Sequence, residues 1–122
     1  MGKFIVKKTA SGIKFDLKAT NGEVILTSEV YNSKESCLKG VRSVAKNAAV
    51  GAVEDQTVEN FEKQKCPKFE IYTDKRGEFR FRLKATNGQI IGVSEGYTTM
   101  RNCKNGVESV KKNAPEAPVV EE

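Results

Sequence analysis

The sequence predicts an α+β fold made of tandem duplicated β3αβ units, closing into a pseudo-dimer within one chain of 122 residues. Three observations point there. The hexapeptide LKATNG stands at residues 17–22 and again at 83–88. The likeness around it covers most of each half, from GKFIVKKTASGIKFDLKATNGEVILTSEV onward in one and from PKFEIYTDKRGEFRFRLKATNGQIIGVSEG onward in the other. Within each half, apolar residues first alternate with period two and then recur at helical spacing. Two long copies are too few for a solenoid, which stacks three or more shorter repeats. The repeats run over residues 1–55 and 67–122, with a linker at 56–66, and together form one compact domain.

Each copy has the same plan. Phe4 and Val6, like Phe69 and Ile71, alternate with polar neighbours as a half-buried strand requires. Gly12 and Gly77 mark polar turns, and the offset between copies changes there from 65 to 66, which places one extra residue in the following strand of the second copy. Ile13, Phe15, Leu17 and Ala19 then alternate with charged residues, as do Phe79, Phe81, Leu83 and Ala85. Asn-Gly between two such runs is a strong hairpin signal, because both residues tolerate positive φ. A loop with Gly22 as a bulge pairs Leu17 with Ile25 and Leu83 with Ile91, and leaves Val24, Leu26 and Ile90 on the opposite face. A two-residue loop, which would set Leu83 opposite Gly92, is the less favoured register.

A helix follows in each copy. Ser33 and Thr99 are the expected N-caps. Cys37, Val41 and Val44, matched by Cys103, Val107 and Val110, form the apolar stripe. Lys46 and Lys112 fall in the last turn, and Asn47 and Asn113 are expected to stop the helices in the left-handed conformation. Short extended pieces come next, near Ala52–Glu54 and Pro118–Val120.

The duplicated order of elements, the ATNG hairpin, the SE-x-Y stretch and the helix ends GVRSVAKN and GVESVKKN resemble the YegP-like family of small bacterial proteins. The resemblance covers nearly the whole chain, least well in the linker. It implies two β3αβ units sharing one antiparallel sheet with two helices packed on it, each unit lending its final short strand to the other. It carries no activity.

Composition narrows the chemistry. The chain has no histidine, which removes histidine-based acid–base catalysis, Ser-His-Asp and Cys-His arrangements and most catalytic zinc sites. It has no phosphate-cradling glycine loop and no nucleophile elbow. The protein is therefore read as a non-enzymatic binding or interaction protein, with no cofactor or metal and an unidentified partner. Cys37, Cys66 and Cys103 form neither a disulfide framework nor a metal knuckle, and a reducing, cytoplasmic location is expected. The amino terminus lacks the apolar run of a signal peptide, and membrane contact is not expected. Cys37 and Cys103 read as core residues, and Cys66 as the accessible thiol.

Two surfaces are candidate sites. The net charge is +5, and because three acidic residues fall in the last seven positions, residues 1–113 carry +8. Lys14, Lys18, Arg80, Arg82 and Lys84 project from one side of neighbouring strands, with Tyr72 as a stacking ring, and could follow a nucleic-acid backbone. The duplicated Ser28-Glu29-x-Tyr31 and Ser94-Glu95-x-Tyr97 either brace each helix start or line a small-ligand cleft at the pseudo-twofold axis. The expected assembly is a monomeric pseudo-dimer, with a protein or a nucleic acid as partner.

Overall fold

The computed structural model describes residues 2–122. Its elements are β1 (Lys3–Lys8), β2 (Ile13–Lys18), β3 (Val24–Thr27), α1 (Lys34–Ala48), β4 (Ala52–Asp55), β5 (Lys68–Thr73), β6 (Phe79–Lys84), β7 (Ile90–Val93), α2 (Met100–Asn113) and β8 (Val119–Glu121). All eight strands join one sheet in the order β4-β5-β6-β7-β3-β2-β1-β8. Antiparallel hairpins build each half, and the halves meet at the pair Thr27↔Val93. These two residues are equivalents in the repeat, so the pseudo-twofold axis passes between them.

Each helix carries the chain from its own repeat to the other. α1 packs on β2 and on β7, and α2 on β6 and on β3. β4 then pairs in parallel with β5, and β8 with β1. Both helices cover the same face of the sheet, over one continuous core. That core holds Phe4, Phe15 and Leu17 with Phe69, Phe81 and Leu83, all fully buried. Phe4 meets Phe15 edge-on, and Phe69 meets Phe81 in the same way. Cys37, Val41 and Val44 seal one half and Cys103, Val107 and Val110 the other, as the stripe predicts. Ser33 and Thr99 cap the helices, accepting the backbone N–H of Ser36 and Asn102.

Three local expectations need correction. The extra residue of the second copy lies in the turn: Thr9 N–H bonds the Gly12 carbonyl, whereas Asp74 N–H reaches the Glu78 carbonyl. The hairpin register is one step further along. Gly22 and Gly88 do take positive φ, at 85° and 84°, and close the bulged loops. A second bulge follows, however, with Lys18 opposite Val24 but Leu17 opposite Leu26, so Ile25 is the extra residue. Ile91 occupies the same place between Lys84↔Ile90 and Leu83↔Gly92. Both Ile25 and Leu26 therefore enter the core.

Asn47 and Asn113, the expected left-handed stops, are helical and buried. Asn47 Nδ2 donates to the Ser43 carbonyl and hydroxyl, and its Oδ1 accepts from the Thr86 hydroxyl at 3.3 Å. Asn113 repeats this with Ser109 and with Thr20 at 3.4 Å. The threonine of each LKATNG thus holds the end of the other repeat's helix. The repeated letters serve as both a hairpin turn and a dock between the two halves.

Candidate functional site

The basic strands β2 and β6 are not neighbours, as the sequence reading has them, because β7 and β3 lie between them, and their charge is largely matched from within. β5 and β6 place Glu70 opposite Arg82, with Lys68 and Lys84 beside them. Arg82 Nε bonds Glu70 at 2.6 Å, Lys84 lies 3.3 Å from the other Glu70 oxygen, and the Arg82 guanidinium covers the Tyr72 ring at 4.5 Å. Arg80 Nε bonds Asp74 at 2.7 Å, and a terminal nitrogen reaches the Ser94 carbonyl. In the first repeat Asp16 gathers Lys7 at 2.8 Å and Lys14 at 3.6 Å and accepts from Thr27. Lys18 has no ion pair among the described residues.

The carboxylates respond to this setting. Burial pushes Glu70 and Asp16 up, but the surrounding cations and hydroxyl outweigh it and hold both below the ordinary range. Arg80 does the same for Asp74. Of the candidate cations on this face, Lys14, Arg80, Arg82 and Lys84 are therefore ion-paired, and Tyr72 is already stacked.

The linker adds a cluster that the strand pattern does not announce. Glu54 on β4 is 1% exposed. Its carboxylate accepts from Lys68 Nζ at 2.8 Å, from the Gln56 side chain at 2.7 Å and from the Gln64 backbone at 2.7 Å. Lys68 also reaches Glu70 at 3.1 Å. Residues 56–64 thus fold back over the end of β4 and β5.

The Ser-Glu-x-Tyr stretches have mainly a bracing role in this geometry. Ser28 Oγ accepts from Phe15 N–H and donates to the Glu29 carbonyl, and Ser94 does the same for Phe81 and Glu95. The Tyr31 ring stacks on Phe15 and the Tyr97 ring on Phe81. Each phenol lies against a helix glycine, Gly40 or Gly106, where even a Cβ would collide with it. Burial, then Glu95, push the Tyr97 phenol up to about 12. Replacing Ser94 with Ala orphans the buried Phe81 N–H, and a loss of about 1–2 kcal/mol is expected in urea unfolding. Unchanged stability would show that the Ser94 hydroxyl does not stabilise the fold through the Phe81 N–H.

These residues do not converge on one cleft at the axis. Glu95 and Tyr97 line a cleft of about 400 Å³ with the first hairpin (Asn21, Glu23) and α2. Glu29 and Tyr31 line its counterpart, about 380 Å³, with Lys84 and Gln89 of the second hairpin. Each cleft joins one repeat's hairpin to the other repeat's helix region.

The helical layer holds a second group of cations without ion pairs among the described residues, alongside Lys3, Lys8, Lys18, Lys63, Lys65, Lys75 and Arg76 of the strands, turns and linker. The strand-centred reading overlooks it. α1 exposes Lys34, Lys39, Arg42 and Lys46 with Glu35 as its acidic residue; α2 carries Arg101, Lys104, Lys111 and Lys112 with Glu108. Of these cations only Lys34 makes an ion pair among the described residues, with Glu121. The available signal was the spacing of Lys39, Arg42 and Lys46 at i, i+3 and i+7, on the side away from the apolar stripe.

Fold and clefts together define a class: a tandem β3αβ protein whose two halves share one sheet. The chain belongs to the family described as "Domain of unknown function (DUF1508)", which matches residues 9–55 and 74–121. It is 42% identical to the UPF0339 protein PA0329 of Pseudomonas aeruginosa, over 98% of this chain and 96% of that one. A UPF0339 protein of Treponema denticola is 61% identical over 54 residues, which are 44% of this chain and 93% of that relative. The solution NMR structure of yegP from E. coli, described as a protein of unknown function, superposes with a TM-score of 0.80 at 38% identity, covering 99% of this chain and 92% of that one. Among the described residues no helix is long and apolar enough to cross a membrane.

Proposed function

We propose that this protein is a non-enzymatic binding module whose helical layer docks on the phosphate backbone of a nucleic acid. The observation that carries the reading is the partition of charge. Lys18 apart, the candidate cations of the strand face are spent on Asp16, Glu70 and Asp74, while the helices present cations with few acidic neighbours. Unpaired surface cations gain most from a polyanion, because binding releases condensed counterions. The strand-face alternative is disfavoured because a phosphate there must compete with carboxylates already in place.

The module is read as a cytoplasmic monomer. Its three cysteines are free thiols, two of them buried, as a reducing compartment favours. Its edge strands β4 and β8 have only four and three residues, which limits edge-to-edge pairing.

Fluorescence anisotropy against labelled single- and double-stranded DNA and RNA tests the reading. Micromolar binding at low salt is expected. If about three phosphates of a duplex are neutralised, affinity should fall about 40-fold between ~50 and ~200 mM salt. No binding at low salt would overturn the reading and turn the search to acidic proteins and metabolites.

A further inference from the structure

The two halves repeat one groove between a helix and the opposite hairpin, but they fill it with different charges. On one side, Lys39, Arg42 and Lys46 of α1 stand beside Thr86 and Asn87, in a cleft of about 340 Å³. On the other, the matching positions are Asn105, Glu108 and Lys112, beside Thr20 and Asn21, in a cleft of about 350 Å³. The floors are alike: Asn47 bonds Ser43 and Thr86 in the first, and Asn113 bonds Ser109 and Thr20 in the second. Geometry is thus held constant while three cations become an amide, a carboxylate and one cation.

We infer that the cleft between α1 and the β6–β7 hairpin binds a phosphate group, and that its pseudo-symmetric counterpart does not. None of Lys39, Arg42 and Lys46 has an ion pair or a side-chain hydrogen bond among the described residues. Three like charges within two helical turns repel one another, and a bound phosphate removes that repulsion. The arginine supplies a planar fork suited to two phosphate oxygens, and the lysines supply flanking point charges. Ser43 and Asn87 bring further polar groups to the same cleft. The inference rests on the nucleic-acid reading and deepens it, by naming the groove in which a phosphodiester sits.

The test is a titration of the ¹⁵N-labelled full chain with sodium phosphate, against sodium chloride at matched ionic strength, followed by a short oligonucleotide. Saturable shifts are expected at the amides of Ser43, Thr86 and Asn87, and not at Ser109, Thr20 and Asn21. Arg42→Glu, which installs the residue type found at position 108, should weaken phosphate binding at least tenfold while the spectrum stays folded. The reverse graft, Asn105→Lys with Glu108→Arg, should create shifts in the second cleft. No shifts, equal shifts in both clefts, or shifts indifferent to Arg42→Glu would overturn the inference. Oligonucleotide binding that survives Arg42→Glu would sink the cleft but keep the nucleic-acid reading. Phosphate shifts without oligonucleotide binding would do the opposite, leaving a site for a small phosphorylated ligand.

Discussion

Gly92→Leu is expected to destabilise the protein by about 3 kcal/mol, and adding Leu26→Gly is expected to restore most of the loss. The two positions are equivalents in the repeat and flank the pseudo-twofold axis at the seam between β3 and β7. Leu26 is fully buried, and a Cβ built on Gly92 would meet its side chain at 2.5 Å. One leucine fits at the seam where two cannot, so the copies have diverged into a large and a small partner. Leu26→Gly alone should cost about as much as other buried leucine truncations, roughly 2–5 kcal/mol, because it empties the same space. Chemical unfolding of the two single variants and the swap checks this. Additive losses in the swap would show that the halves do not share the seam described.

Glu54→Ala is expected to cost about 3 kcal/mol at neutral pH, near the low end for breaking a buried ion pair, because Lys68 keeps Glu70 as a second partner. The same residue sets a pH dependence. Burial pushes its carboxyl up, but Lys68, Gln56 and the Gln64 backbone outweigh that and hold it at about 2, against 4.5 for a free glutamate. A lowered folded value means that the stabilisation is complete above about pH 4.5 and is lost as pH falls towards 2. The whole effect is about 3 kcal/mol for Glu54, with Asp16 and Glu70 contributing in the same direction. Urea midpoints at pH 7, 4 and 2.5 should therefore converge for the wild type and Glu54→Ala as acid is added. A gap that stays constant with pH would mean that packing, and not the carboxylate, accounts for the loss.

Much of this architecture is legible in the residues, because period-two and helical patterns are local. The inward set from Phe4 to Leu83, the stripes through Cys37 and Cys103, and the caps at Ser33 and Thr99 follow from such patterns. The register is not legible, since a bulge at Ile25 lets both Ile25 and Leu26 enter the core, whereas alternation alone prefers a regular ladder. Asn47 resembles a helix stop, but its side chain is claimed by Thr86, 39 residues away, which no local rule foresees. The basic strands were visible, whereas their neutralisation depended on cross-strand neighbours such as Glu70 and on a turn residue, Asp74. Glu29/Tyr31 and Glu95/Tyr97 read as one site because the repeat suggests an axis. They separate because each helix crosses to the opposite hairpin.

In the proposed function the helical layer, and not the strand face, meets the phosphate backbone. The most direct measurement compares oligonucleotide affinity for two neutralising double variants, Arg42→Gln with Lys46→Gln and Arg80→Gln with Arg82→Gln, each confirmed as folded by circular dichroism. At least a tenfold loss is expected for the first pair and less than a twofold change for the second. The reverse order would overturn the proposed function and return the strand face to first place.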